Sequence, residues 1–245
     1  VLLTGVGHPP RIGRRPTLSW GVVTSARPSD ASRPAAVLWD MDGTLVDTEP
    51  YWLEAESDLV HGAGGVWTPE DGLQLVGSGL ERSALILQSR GVELGVEEII
   101  ETLTDQVRDR IGRQVPWRPG ARELLVELKE AGIPTALVTM SRRRMALDVA
   151  GALGFDAFDL VVAGDDVANA KPHPEPYLLA AERLGVDIAE CVALEDSEPG
   201  VAAAVAAGAT VFALPLHLPL PPSPAYRLRS TLEGLTLAGL TEALP

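Results

Sequence analysis

Five short apolar runs stand out along the chain: residues 35–39 (Ala-Ala-Val-Leu-Trp), Thr135–Thr139, Leu160–Ala163, Cys191–Leu194 and Thr210–Leu214. Each is continuous, rich in Val, Leu and Ala, and bounded by turn residues. That is the pattern of strands buried on both faces of a parallel sheet. Between the runs, apolar positions recur at helical spacing. Pro119-Gly120 precedes a helix over Ala121–Ala131 that Gly132 closes, and Ser141 precedes one over Arg142–Ala150. Pro174 or Glu175 opens a helix ended by Gly185 after Leu184, and Glu198-Pro199 opens Gly200–Ala207, which Gly208 stops. Glycine just past a helix and proline in its first turn are favoured end signals. Strand–helix alternation at this spacing predicts an α/β fold, a doubly wound parallel sheet.

One stretch breaks the alternation. From Asp47 to Pro116 the pattern is helical throughout: Tyr51–Val60, a start at Thr68-Pro69-Glu70, Glu81–Arg90 and Val96–Arg113. The expected organisation is therefore a core of residues 35–48 and 116–245, interrupted by an all-helical insertion over 49–115. Residues 1–34 carry Arg11, Arg14, Arg15, Arg27 and Arg33 among five prolines and a single acid, Asp30. They read as a disordered basic tail, or as translated upstream sequence, with a transit peptide or a nucleic-acid-binding arm as alternatives. Pro215–Pro224 reads as a surface loop and Ser230–Leu244 as a short closing helix.

Composition narrows the partners. Apolar residues make up 46% of the 245 positions, enough for a large core, but aromatics only 4%. The formal net charge of -14 disfavours nucleic acid and anionic membrane surfaces as partners. It also repels a phosphorylated substrate at long range, so any such site needs local cations. The lone cysteine, Cys191, lies in an apolar run and reads as a buried core thiol; without a second cysteine no intrachain disulfide forms, which fits a reducing cytoplasm. No stretch is apolar enough to span a bilayer. A monomer or weak dimer is expected.

In an open α/β sheet, ligands bind outside the carboxyl ends of the strands. The residues there are Asp40 with Asp42, Thr139, Asp165-Asp166, and Glu195-Asp196, with Lys171 shortly after the third run. Clustered carboxylates repel unless a cation lies among them, and all-oxygen donors suit a hard ion such as Mg²⁺. A carboxylate can attack phosphorus, and a second acid two residues on can protonate the leaving oxygen. Singly, each feature is ordinary: Asp42-Gly43 is a turn, Glu195-Asp196 a solvated loop, Lys171 a surface cation. Their joint order at successive strand ends overturns those readings. Asp165 and Asp166 read as loop-capping acids. Arg142-Arg143-Arg144 reads as a solvated helix face near an anion-favouring helix start, with substrate contact by one of them as the alternative. His61, His173 and His217 show no metal-ligand spacing.

The run from Asp40 to Thr48, Asp-Met-Asp-Gly-Thr-Leu-Val-Asp-Thr, resembles the first motif of the haloacid dehalogenase-like hydrolase superfamily. Thr139 resembles the second motif, Lys171-Pro172-His173-Pro174-Glu175 the third, and Leu194-Glu195-Asp196-Ser197 the fourth. The order matches, the insertion falls where that family's helical cap is placed, and the resemblance covers about residues 35–240. It implies a Rossmann-like core with a helical cap and a Mg²⁺-dependent phosphatase hydrolysing a small phosphorylated metabolite. In that reading Asp40 is the nucleophile and a metal ligand. Asp42 is general acid and then base, and its carbonyl binds the metal. Thr139 and Ser141 hold the phosphoryl group, Lys171 steadies Asp40 and the phosphate, and Asp196 completes the metal site with Glu195 as ligand or supporting acid. An acid at position 42 favours phosphate esters over carbon–halogen or carbon–phosphorus bonds. A β-phosphoglucomutase-like activity is the alternative, opposed by Trp52 and Leu80 where that branch carries histidine and arginine. A catalytically silent binding protein is the alternative of another class. Trp52, Trp67, Ser78, Arg82 and Arg108 are candidates for reading the leaving group.

Overall fold

The computed structural model of the chain describes residues 33–75 and 79–244. Most of the basic segment 1–34, and the candidate Ser78, lie outside the described residues.

Every apolar run forms a strand: β1 (Ala36–Trp39), β2 (Thr135–Val138), β3 (Leu160–Val162), β4 (Cys191–Glu195) and β5 (Thr210–Ala213). A sixth, β6 (Arg227–Leu228), joins the edge. The hydrophobic pattern does not announce it, because its two residues are exposed and carry no burial signal. All pairings are parallel, in the order β3-β2-β1-β4-β5-β6. The chain winds outward from β1 through β2 to β3, then crosses back over β1 to β4 and winds the other way. This reversal opens a crevice at the carboxyl ends of β1 and β4, the place where such sheets bind ligands.

Helices α5 (Ala121–Glu130), α6 (Arg143–Ala152), α7 (Glu175–Leu184) and α8 (Glu198–Ala207) cover the sheet. Val37 and Trp39 point into an apolar cluster with Leu124, Leu125 and Leu128 of α5. Ala36 and Leu38 point the other way, into a cluster with Tyr177 and Ala180 of α7 and Ala204 of α8. The sheet is thus buried on both faces. Each Leu or Val buried there gains roughly 1.5–3 kcal/mol from leaving water, which fixes the strand ends and so the acids that follow them. The closing helix is shorter than Ser230–Leu244: α9 spans only Leu237–Thr241, capped by Thr236, because Gly234 turns the chain at φ 70° just before it.

Between β1 and β2 the chain forms α1 (Glu49–Gly62), α2 (Pro69–Leu73), α3 (Leu80–Ser89) and α4 (Val96–Arg113). Thr68 and Asp71 form a reciprocal capping box at the start of α2. Helix α4 buries Ile99, Ile100, Leu103, Val107 and Ile111 and packs on α1, α3 and α6. Among the described residues, no helix is long and apolar enough to cross a membrane. Cys191 is buried, and burial pushes its thiol up to about 12.

Candidate active site

Asp40 is the first residue beyond β1. Its N–H continues the ladder by donating to Leu194 O at 3.0 Å, so the β1–β4 pairing sets its position. Its side chain is buried, and Oδ1 accepts from Lys171 Nζ at 2.7 Å. The same ammonium donates to Glu195 Oε1 at 2.6 Å and to Val138 O at 2.9 Å. Lys171 thereby links the ends of β1, β2 and β4, and all three of its donors are used. Burial alone disfavours its charge, but the adjacent charges of Asp40 and Glu195 outweigh that and hold its proton above the ordinary lysine range. The ring of Tyr177 lies 5.1 Å from Nζ and adds a cation–π contact.

Glu195 is fully buried. Besides Lys171, Oε1 accepts from Tyr177 Oη at 2.8 Å. Oε2 accepts from the backbone N–H of Asp196 at 3.1 Å and of Ser197 at 3.3 Å, and from Ser197 Oγ at 3.1 Å. Gly200, in the first turn of α8, leaves room for this carboxylate: a Cβ there would lie 1.9 Å from Oε1.

Asp196 accepts from Thr44 Oγ1 at 3.3 Å. Burial first, and then the charge of Glu195, push its carboxyl up to about 7 against the opposing Thr44, Lys171 and Arg118. Asp40 is pushed well above the usual carboxylate range by burial and by Glu195. One oxygen from each of Asp40, Glu195 and Asp196 lies within 4.8 Å of the others. Among the described residues, Asp40 Oδ2 and Asp196 Oδ2 receive no hydrogen bond, whereas both oxygens of Glu195 are engaged. Crowded carboxylates with free oxygens and no nitrogen or sulfur donor fit a hard divalent cation.

Asp42 is held apart from that cluster. Thr48 Oγ1 donates to its Oδ1 at 2.6 Å and Ser141 Oγ to its Oδ2 at 2.7 Å. Burial raises its pKa, although the two hydroxyls and Lys171 work against the rise. Thr48 and Ser141 stand beside helix starts, where their hydroxyls would ordinarily cap; both are diverted to Asp42 instead. Helix α6 begins at Arg143, one residue later than the pattern implies. Buried Thr139 accepts from Ser141 N–H at 3.0 Å, which leaves its own proton free to donate.

The candidates Asp40, Asp42, Thr139, Ser141, Lys171, Glu195 and Asp196 thus meet at one crevice. The others do not. Asp165 accepts from Arg143 N–H at 2.7 Å and caps α6, while Asp166 pairs with the Arg143 side chain at 2.6 Å. Arg142 pairs with Glu97 of α4, Arg144 with Asp105, and Arg108 with Asp105 and Asp148. Trp67 is buried under Arg90, Arg82 is exposed, and half-buried Trp52 packs on the apolar core. His217 lies 3.1 Å from Asp47.

Several supporting residues escape sequence reasoning. Thr48 looks like a cap, Tyr177 like core, and Gly200 like any small helix residue. Arg118 looks like part of a turn, yet it is buried and donates to Gly43 O. A basic residue within an otherwise turn-like Arg-Pro-Gly is the one signal for it. Gly43 itself has φ 86°, and a Cβ there would lie 2.1 Å from Asp196 Oδ2.

Residues 34–208 match the family model described as haloacid dehalogenase-like hydrolase. The chain is 36% identical over 176 residues to the phosphorylated carbohydrates phosphatase of Thermotoga maritima, covering 71% of this chain and 81% of that protein. It is 31% identical over 211 residues to hexitol phosphatase B of Escherichia coli, covering 84% and 93%. The crystal structure of CbbY from Rhodobacter sphaeroides in complex with phosphate superimposes with a TM-score of 0.74 at 29% identity, covering 84% of this chain and 99% of that one.

Proposed function

Because the chain belongs to the haloacid dehalogenase-like hydrolase family, we propose that it is a Mg²⁺-dependent phosphatase that hydrolyses a small phosphorylated metabolite through an aspartyl-phosphate on Asp40. The observation that carries this reading is the division of labour between two carboxylates two residues apart. Asp40 sits on Lys171 beside the acidic cluster, while Asp42 hangs from two hydroxyls outside it.

In the first step a carboxylate oxygen of Asp40 attacks phosphorus and the bond to the leaving oxygen breaks. Asp42 gives its proton to that oxygen, which departs as an alcohol. In the second step Asp42, now a carboxylate, takes a proton from water as the water oxygen attacks the aspartyl-phosphate. Inorganic phosphate leaves and both aspartates are restored. Thr139, whose own proton is free, holds a phosphoryl oxygen, Ser141 supports it and Asp42 with its N–H and hydroxyl, and Lys171, held in turn by Glu195, neutralises charge and fixes Asp40. Asp40, Asp196 and the Asp42 carbonyl would hold Mg²⁺, with Glu195 behind them; when bound it offsets the charge that nucleophile and phosphate share. Helices α1–α4 form the cap that shields the intermediate and selects the leaving group. Phosphorylated carbohydrates are the first class to test, given the names of the relatives. Trp52, packed on the core where a mutase would present a histidine, supports hydrolysis over phosphate relocation.

The test separates the two aspartates. Asp40→Asn is expected to abolish turnover and covalent labelling. Asp42→Asn is expected to be nearly dead on an alkyl phosphate yet to form the adduct from an activated aryl phosphate, and to accumulate it. General acid–base assistance of about 10²–10⁴-fold sets the size of the contrast. Intact mass after rapid quench reads both, and an adduct on the Asp40→Asn variant defeats the assignment.

A further inference from the structure

Two short stretches join the helical segment to the sheet layer, 45–47 on the way out and 116–118 on the way back. They lie side by side. Asp47 N–H donates to Pro116 O at 2.8 Å, Trp117 bridges Val46 in antiparallel register, and Arg118 N–H donates to Leu45 O at 3.0 Å. Backbone bonds alone therefore close this link, and the Arg118 side chain is spent on something else. It is 4% exposed and reaches a residue 75 positions earlier, where its Nη1 donates to Gly43 O. Among the described residues that carbonyl is the one acceptor of its side chain, and no carboxylate pairs with it. Burial disfavours its charge, against the pull of Asp196 and Asp47.

A guanidinium taken out of water for one carbonyl costs stability, and an apolar side chain would fill the place better if packing were its purpose. What the bond secures is Gly43. The N–H of that residue donates to Val46 O at 2.8 Å, so with Arg118 on its carbonyl both of its peptide groups are held, at φ 86°. The first of these is the peptide in which Asp42 ends. Peptides are planar, so pinning it restricts the backbone of Asp42, and the backbone in turn selects the side-chain rotamer. The Asp42 carboxyl is held at its tip by Thr48 and Ser141 and at its root by this loop. Thr48 follows Asp47 directly, so the same link steers both ends.

We infer that Arg118 is a positioning residue for proton transfer to the leaving group: from the returning stretch it holds the Gly43 carbonyl and so fixes the backbone from which Asp42 delivers its proton. This rests on the phosphatase reading above. A general acid must lie within hydrogen-bond reach of the leaving oxygen, and a displacement of about 1 Å can cost about 10²-fold.

The experiment uses the full chain at saturating Mg²⁺ and two aryl phosphates. p-Nitrophenyl phosphate releases an acidic phenol that needs little protonation; phenyl phosphate releases one that needs more. Because kcat/KM covers only the steps through departure of the leaving group, hydrolysis of the intermediate does not enter. Arg118→Met is expected to lower kcat/KM for phenyl phosphate by about tenfold or more, and for p-nitrophenyl phosphate by no more than about threefold. Loss of the Arg118 charge acts on the phosphoryl group of both probes alike, so it leaves their ratio unchanged. Arg118→Lys, whose ammonium can replace a single-pronged bond in part, should fall between wild type and Arg118→Met. Thermal melting verifies folding; where the Met variant does not fold, Arg118→Gln, with a shorter side chain, takes its place. Equal losses on both probes, no loss on either, or failure of both variants to fold would make Arg118 merely structural and overturn the inference. If the wild type hydrolyses neither probe, the phosphatase reading falls and the inference with it. If it hydrolyses only p-nitrophenyl phosphate, that reading stands, there is no proton transfer to be positioned, and the inference alone fails.

Discussion

Gly200 shows how much of this site depends on an atom that is absent. It lies in the first turn of α8, and its missing side chain is the space that Glu195 occupies. The Gly200→Ala substitution improves helix propensity by up to about 1 kcal/mol, so on local grounds it should stabilise. The clash with a fully buried, hydrogen-bonded carboxylate should win, because overpacking a rigid core costs about 1–3 kcal/mol or more. The expected result is a net loss of unfolding free energy in urea, with kcat falling too, since Glu195 orients Lys171 and Lys171 orients Asp40. A stabilised and fully active variant would contradict the placement of Glu195. Gly43 is constrained twice, by φ 86° and by Asp196 Oδ2 lying 2.1 Å from where a Cβ would stand.

At the scale of the element, α1 carries opposite solutions to the same problem on its two faces. Toward α4, Glu54 and Asp58 share Arg110 in a solvated pair that salt will screen. On the buried face Glu56 is kept neutral by burial and by Glu49. The sign of the pH effect follows. In the unfolded chain Glu56 loses its proton near 4.5, whereas in the folded chain it keeps it to about 8. Between those values the folded state binds the extra proton. Its contribution to stability is fully present below the lower value and is lost as pH rises through the upper one, at up to about 1.4 kcal/mol per pH unit. Wild type should therefore lose Tm relative to Glu56→Gln as pH is raised from 5 to 9, the difference flattening above 8. Parallel melting curves for the two proteins across that range would show that the carboxyl is not buried as described. The ion pairs from α4 to α6, Glu97 with Arg142 and Asp105 with Arg144, belong to the solvated class; they tie the helical segment to the sheet layer rather than reaching the crevice.

For the whole molecule, electrostatics sets the terms. A chain of net charge -14 gathers Asp40, Glu195 and Asp196 around one lysine, and then must admit a phosphate. Lys171 is already shared between two carboxylates and a carbonyl. On the reading proposed above, a divalent cation on the free oxygens of Asp40 and Asp196 would add the positive charge that Lys171 and Arg118 leave short. Exhaustive chelation is expected to abolish phosphate release, and Mg²⁺ to restore it. Unchanged turnover in chelator would remove the metal from the account. Metal binding should also raise Tm with Mg²⁺ concentration, by mass action on the folded state, while Asp196→Asn should blunt that rise.

The sequence alone determined the elements and the places where chemistry gathers. Strand interiors must be apolar to be buried on both faces, so the first polar residues after each run mark the carboxyl edge. That is why Asp40, Thr139 and Glu195-Asp196 are legible as one edge before any fold is known. Period and punctuation also located the helices, within a residue or two except at the closing one, where Gly234 cuts the pattern short. What they could not convey is which groups share a hydrogen bond. Lys171 and Asp40 are 131 residues apart, and Ser141 and Asp42 are 99 apart. A hydroxyl beside a helix start has the same local appearance whether it caps that helix or leaves it for a distant acid, and the distant acid decides. Burial of a charge is likewise invisible in one dimension: Glu56 occupies an acid-rich stretch that reads as a solvated face, and only the packing of α1 on α2 isolates it. Periodicity records which side of an element avoids water, whereas partners and protonation follow from distances that the tertiary fold alone creates.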